Sequence, residues 1–240
     1  PMGVAVDRSG NVYVADGGNH LIRKITPSGM VSTIAGNGQQ GATNGAAASA
    51  TFYGPFDVAV DTAGNLYVAD GGNQTIRKVT PGGIVSTLAG NGQKGYADGA
   101  AGSAMFNNPQ GVAVDGAGNL YVADLENYAV RKIATDGTVS TIGRDATDAR
   151  YYFSGPAKVA VDANGDVFVV DMFNNRVDRI APNGSVAVLA GNGTSVPTGS
   201  DDGPGATASF LFPSGIAVST SGIVYVGDTV NHKIRKIVLQ

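Results

Sequence analysis

The sequence has no cysteine, only two histidines (His20 and His232) and, among nineteen acidic residues, a single glutamate, Glu126. Without cysteine there are no disulfides and no thiolate-held metals, and the redox compartment is left open. Two histidines are also few for zinc catalysis, which normally takes three protein ligands and a nearby base. No apolar run approaches the ~20 residues of a membrane-spanning helix, so no membrane insertion is expected. Charged residues make up only 15%, with a net charge of −3. The clustered lysines and arginines that phosphate contacts require are lacking, which argues against a nucleic-acid partner. No signal peptide is present, but the chain opens at Pro1 without a start methionine, which leaves room for a removed upstream segment.

Glycine is abundant instead, with 36 residues in 240, about twice the usual ~7%. Glycine weakens helix and strand interiors, so this many implies many tight turns. The preference for aspartate over glutamate points the same way, because Asp forms turns and Glu favours helices. Together these biases predict a turn-rich, all-β chain.

Internal repetition dominates the sequence. Gly3–Gly38 reads GVAVDRSGNVYVADGGNHLIRKITPSGMVSTIAGNG, and Asp57–Gly92 matches it at 26 of 36 positions. Further copies begin at Gly111, Lys158 and Gly215; the last stops early, without the VSTIAG segment. Each copy parses into four short strands separated by turn signals, in the first copy Val4–Val6, Val12–Ala15, Leu21–Ile25 and Val31–Ala35. Four antiparallel strands at this period make a propeller blade. We therefore expect one domain over 1–240, an all-β propeller of five four-stranded blades with the last three-stranded. The repeats are about 1–38, 39–92, 93–143, 144–193 and 194–240. Closure end to end is expected, the alternative being part of a six-bladed ring.

The order GNLYVAD, NH, IRKI, with Asn19-His20-Leu21 spelled out, resembles the NHL repeat family over essentially the whole chain. That resemblance implies a β-propeller, commonly six-bladed, that binds proteins, RNA or ligands and occasionally forms an enzyme domain.

A position repeated in every blade most simply serves the blade. Asp16, Asp70, Asp124, Asp171 and Asp228 are expected to cap the following turn, tied to Asn19, Asn73, Asn127, Asn174 and Asn231. Asp7, Asp61, Asp115 and Asp162 are expected to open hairpins; Asp162 only briefly resembles a calcium loop, lacking its later Glu. The Arg-Lys pairs at 23–24, 77–78, 131–132 and 235–236 should form salt bridges between blades. Between blades, Phe52, Phe106, Phe153 and Phe210 should plug the connectors, with one helical turn at Ala47–Ala50.

Departures from the repeat carry the functional expectation. Asp57 and Lys158 put charge where other copies have Gly, and the residue after Pro varies as Met2, Phe56, Gln110, Ala157 and Ser214. After the repeated Asn the residue varies as His20, Gln74, Tyr128, Asn175 and His232. Asp178 replaces a third-strand Arg in the fourth copy, whose preceding connector, Arg144–Phe153, is the shortest. The candidate ligand site is a channel-mouth pocket of Asp57, Lys158, Phe56, Tyr53, Gln110 and Tyr128. The leading reading is a non-catalytic binding or scaffold module for a protein, small ligand or glycan, with no catalytic residue and no cofactor. Composition suits an extracellular or cell-surface bacterial protein. One alternative is a metal-dependent lyase or hydrolase using His20 and His232, with Asp228 or Asp16 as a third ligand. Another is a structural module that self-associates through the open fifth-blade edge at Lys233–Val238.

Overall fold

The computed structural model describes residues 1–143, 152–193 and 199–239. Most of the connector Arg144–Phe153 therefore lies outside the described residues. The chain is all-β, and its sheets are five consecutive blades. The first runs β1 (Gly3–Val6), β2 (Val12–Asp16), β3 (Leu21–Ile25) and β4 (Val31–Ala35). The second adds a short connector strand, β5 (Gly45–Ala46), to β6 (Pro55–Val60), β7 (Leu66–Asp70), β8 (Thr75–Val79) and β9 (Ile84–Ala89). The third repeats this with β10 (Gly99–Ala100), β11 (Pro109–Val114), β12 (Leu120–Asp124), β13 (Ala129–Ile133) and β14 (Thr138–Ile142). The fourth is β15 (Pro156–Val161), β16 (Val167–Asp171), β17 (Arg176–Ile180) and β18 (Val186–Ala190). The fifth has three strands, β19 (Pro213–Val218), β20 (Ile223–Asp228) and β21 (Lys233–Val238). The contacts fall into two compact units, Pro1–Val122 with Lys132–Ser140, and Ala123–Arg131 with Thr141–Gln240.

The first hairpin of each of the first four blades is set by its aspartate, as expected, and in the fifth Ser219 Oγ accepts Ile223 N–H at 3.0 Å instead. Asp61 Oδ1 accepts the backbone N–H groups of Ala63 and Asn65, and its Oδ2 accepts Asn65 Nδ2 and Tyr67 Oη, at 2.8–3.0 Å. Burial opposes ionisation here, but these bonds, led by the Asn65 side chain, hold the carboxyl below the usual carboxylate range. On the other side of the pair, burial and the bond to Asp61 push Tyr67 up to about 12. Asp7 and Asp115 accept the same set of bonds.

Within the first unit the apolar cores lie between consecutive blades. Ile22 and Tyr13 pack with Phe52, Val58 and Val68, and Ile76 and Tyr67 with Phe106, Val112 and Val122. In the second unit Val177 and Phe168 pack with Phe210, Val224 and Val226 in the same way. Phe52, Phe106 and Phe210 are thus inter-blade plugs, and Phe153 is buried as well. Ala50 N–H donates to Ala46 O at 2.9 Å, closing the single helical turn. Faces that a neighbouring blade covers elsewhere are exposed at both ends of the series, at Val4 and Val6 of β1 and at Tyr225 and Ile234 of β20 and β21.

Each fourth strand is followed by a glycine with positive φ. At Gly90 (φ +100°) a Cβ would sit 2.6 Å from Gln74 O and 3.0 Å from Thr75 Cα, both backbone. Gly90→Ala is therefore expected to lower unfolding stability by about 2–3 kcal/mol in urea titrations. A loss under about 1 kcal/mol would mean that the backbone there gives way easily.

Candidate functional site

The salt-bridge expectation is corrected in its partners. Arg77 does not reach across to another blade's acid; its Nη1 meets Asp70 Oδ2 of its own blade at 2.9 Å, with both side chains fully buried. Arg131 pairs with Asp124 at 2.8 Å and Arg235 with Asp228 at 3.0 Å in the same manner. Arg77 also donates to Thr51 O and Thr43 O at 3.0 Å, and its guanidinium lies 5.2 Å from the centre of the Phe52 ring. The paired lysines lie over tyrosines of their own blades, Lys24 over Tyr13 and Lys78 over Tyr67.

The role of the aspartates is corrected as well. The ties from Asn are present in all five blades, at 2.6–2.9 Å. Yet in the three defined 3-10 turns (residues 17–19, 71–73 and 125–127) the Asp side chain makes no cap bond to the turn. Instead Asp70 Oδ1 accepts Tyr53 N–H, and Asp228 Oδ1 accepts Leu211 N–H, both at 2.8 Å from the incoming connector. Asp70 and Asp228 are thus buried hubs joining turn, third strand and connector, whereas Asp16 is half-buried and meets Asn19 and the amino group of Pro1. Burial raises the Asp70 carboxyl above its ordinary range despite Arg77 and the hydrogen bonds.

The variable residue after each Asn sits in the left-handed region, with φ between 51° and 59° at His20, Gln74, Tyr128, Asn175 and His232. Three of these side chains accept a backbone N–H from the next connector. His20 Nδ1 takes Gly54 N–H at 3.1 Å, Gln74 Oε1 takes Asn108 N–H at 2.6 Å and Asn175 Oδ1 takes Phe212 N–H at 2.8 Å. What recurs is an acceptor of the right reach, which three residue types supply. The bond ties His20 into the blade, and among the described residues no three His, Asp or Glu side chains form a group able to hold a metal.

Of the candidate ligand residues, Tyr53, Phe56, Asp57 and Gln110 belong to the first unit, Tyr128 and Lys158 to the second. Asp57 is only 7% exposed. Its Oδ2 accepts Val112 N–H at 3.1 Å, and its Oδ1 fills the space that a Cβ on Gly3 would need. The carboxylate is thus already engaged between the innermost strands β1, β6 and β11. Phe56, the extra residue of a bulge between Pro55 and Asp57, lies over Gly71, where a Cβ would come within 2.5 Å of its ring. The neighbouring Gly72 carries the Tyr53 ring, which has the His20 ring edge-on at 6.0 Å. Gln110 is half-buried in β11, and Lys158 is half-buried beside the matching Pro156/Lys158 bulge.

In the second unit Phe173 lies over Gly155 and meets Phe212 edge-on at 6.3 Å and 79°. The sequence reading missed Phe212. Its signal is that Gly54, Asn108 and Gly155 hold the pre-proline position in the other connectors, whereas Phe212 (φ 47°) takes it before Pro213. Tyr53, Tyr128, Phe173 and Phe212 remain 40–48% exposed.

Repeated four-stranded antiparallel blades with connector plugs between them define a β-propeller. The chain belongs to the NHL-repeat propellers: the model of the NHL repeat matches residues 1–25, 52–79, 106–133 and 210–237. The unmatched blade is the fourth, which carries Asp178. "Protein SUPPRESSOR OF QUENCHING 1, chloroplastic" of Arabidopsis thaliana is 30% identical over 131 residues, 50% of this chain and 12% of that protein. "NHL repeat-containing protein 2" of Bos taurus is 37% identical over 99 residues, 39% of this chain and 14% of that protein. The chain thus spans a small part of these relatives' length. Among solved structures, the nidogen/laminin complex aligns at a TM-score of 0.70 and 18% identity, covering 98% of this chain and 74% of that one. Virginiamycin B lyase from Staphylococcus aureus aligns at 0.61 and 15%, covering 99% and 69%. At these identities the likeness is one of fold. An NHL propeller supports a binding or scaffolding role in general.

Proposed function

We propose that the chain is a non-catalytic, extracellular protein-recognition module, one propeller domain that binds through aromatic side chains held on the turns and connectors. The observation that carries this reading is the second unit's Tyr128, Phe173 and Phe212, large rings left 42–48% exposed. Phe173 rests on Gly155 and is further fixed by its edge-on neighbour Phe212. Rigid, half-exposed aromatics lose little conformational freedom on binding and dominate interface energetics. The nidogen/laminin neighbour is itself a protein complex, which agrees with a protein partner in preference to a small ligand or glycan.

The test is affinity capture from extracellular extracts with the wild-type chain and with Phe173→Ser/Phe212→Ser. Proteins enriched by the wild type are expected to fall at least ~10-fold with the double variant, equivalent to about 1.4 kcal/mol, while its melting temperature stays within a few degrees. Equal capture by both chains would sink the reading, and binding confined to a glycan array would replace it with the carbohydrate alternative.

A further inference from the structure

A cavity of about 350 Å³ lies between the first and second blades, wholly within the first unit. Both walls are blades with all four strands in place. One wall carries Tyr13 of β2, Lys24 of β3 and Ile34 of β4, and the other carries Leu66 of β7 and Val79 of β8. Tyr13 and Lys24 are directly opposed across β2 and β3, as are Leu66 and Val79 across β7 and β8, so each pair shares one face of its blade. Two turns of the second blade complete the lining, at Gly64 and at Thr80–Gly83. A Cβ on Gly64 would be 3.4 Å from Pro81 Cγ, so these turns touch. Ala47 N–H donates to Gly83 O at 2.8 Å, which ties the second turn to the connector. The cavity is thus bounded by packed elements and is preformed.

Its polar side chains suit an anion. No Asp or Glu lines the cavity. Lys24 Nζ lies 5.7 Å from the centre of the Tyr13 ring, which is itself fixed by the bond from Tyr13 Oη to Asp7 Oδ2. Among the described residues no carboxylate forms an ion pair with Lys24. Thr80 Oγ1 accepts Ile84 N–H at 3.2 Å, which leaves its own O–H as a donor. An ammonium and a hydroxyl beside Ile34, Leu66 and Val79 make a site with one charged end and an apolar body.

The matching residues of the second and third blades show what is particular here. The Tyr67–Lys78 pair and Leu120 recur, but Ile133 stands in place of Val79, Ala134 in place of Thr80 and Thr135 in place of Pro81. Ile133 is buried and one methylene larger, and Ala134 has no hydroxyl. The repeated Tyr–Lys pair serves the blade, whereas the extra space and the second donor belong to this one place.

We propose that the cavity binds a small amphipathic monocarboxylate. Its carboxylate is held by Lys24 Nζ and Thr80 Oγ1, and its aliphatic or aromatic body lies against Ile34, Leu66 and Val79. Charge-assisted hydrogen bonds fix the head, and burial of the body supplies the remaining affinity. The site shares no residue with the second unit's aromatic rings and is independent of what they bind.

The test follows the methyl resonances of the full chain, labelled at Ile, Leu and Val, during titration with octanoate. Saturable shifts are expected at Ile34, Leu66 and Val79 and not at Leu120 or Ile133. Lys24→Met is expected to weaken octanoate at least ~10-fold and to leave the binding of 1-octanol unchanged. Val79→Ile/Thr80→Ala/Pro81→Thr carries the third blade's residues into the second, a set the fold already accommodates. It is expected to weaken octanoate at least ~10-fold, with a melting temperature within a few degrees of the wild type. No saturable shift, or equal affinity for octanoate in the wild type and either variant, overturns the proposal. So does 1-octanol binding as tightly as octanoate, which would leave an apolar surface without a carboxylate site.

Discussion

Replacing Arg77 by methionine is expected to lower the unfolding free energy by about 3–5 kcal/mol, the usual result of removing one partner from a buried pair. Arg77 and Asp70 are both 0% exposed at 2.9 Å, so the substitution strands a carboxylate that water cannot reach. It also removes the arginine's bond to the connector carbonyl of Thr51 and one of the two donors to Thr43 O, which keeps Thr51 N–H at 3.2 Å. The loss combines charge burial and unmade hydrogen bonds, and not Coulomb attraction alone. Two controls separate these causes. Arg77→Met/Asp70→Leu removes the stranded charge and is expected to recover much of the loss. Arg179→Ala breaks the Arg179–Asp166 pair, in which the arginine is 45% exposed, and is expected to change stability by no more than about 1 kcal/mol. Urea unfolding measures all three. A loss under about 1 kcal/mol for Arg77→Met would show that the buried pair is not what ties connector to blade.

That pairing marks the boundary of what the sequence makes legible. Blade boundaries, the Asp61-type hairpin and the Phe52-type plug depend on local chemistry repeated in register, and short-range rules reach them. The partner of Arg77 depends on the register between β7 and β8. Val68 lies opposite Arg77, so Asp70, two residues along the same face, becomes its diagonal neighbour. The alternation of Arg and Lys was visible, but the hairpin offset that selects Asp70 over an acid in another blade was not. Asp57 illustrates the same limit differently. Its departure from glycine is plain in the sequence, but the reason it is accommodated lies 54 residues away, where Gly3 has no Cβ to obstruct it. The exposed aromatics were partly legible: Tyr128 stood out as a departure and Tyr53 as a candidate contact. Phe212 did not, because its position precedes a proline and reads as a turn.

Asp178 in the fourth blade gives the protein a measurable pH dependence. At the position where other third strands carry arginine, it is fully buried, and its Oδ1 has no hydrogen-bond partner. The compensating arginine is displaced by two residues to Arg176, whose Nε meets Asp178 Oδ2 at 3.0 Å and whose Nη2 lies 3.7 Å from Asp171 Oδ2. One guanidinium thus serves two buried carboxylates. Burial pushes the Asp178 carboxyl up to about 7; Arg176 opposes this, and Asp171 adds to it. The sign follows from proton binding. Between about pH 4 and pH 7 the folded chain keeps a proton on Asp178 that the unfolded chain has released. The stability contributed by this group is therefore fully present below pH 4 and is lost as pH rises through about 7. Asp178→Asn keeps an acceptor for Arg176 and removes the titration. It is expected to flatten the stability profile between pH 4 and pH 7, and at pH 8 to raise stability by at most roughly 4 kcal/mol, the full value of a three-unit shift. Chemical denaturation at half-unit pH steps decides the matter. An unchanged slope in Asp178→Asn would mean that Arg176 keeps Asp178 ionised throughout, and that the displaced arginine fully replaces the one the repeat has lost.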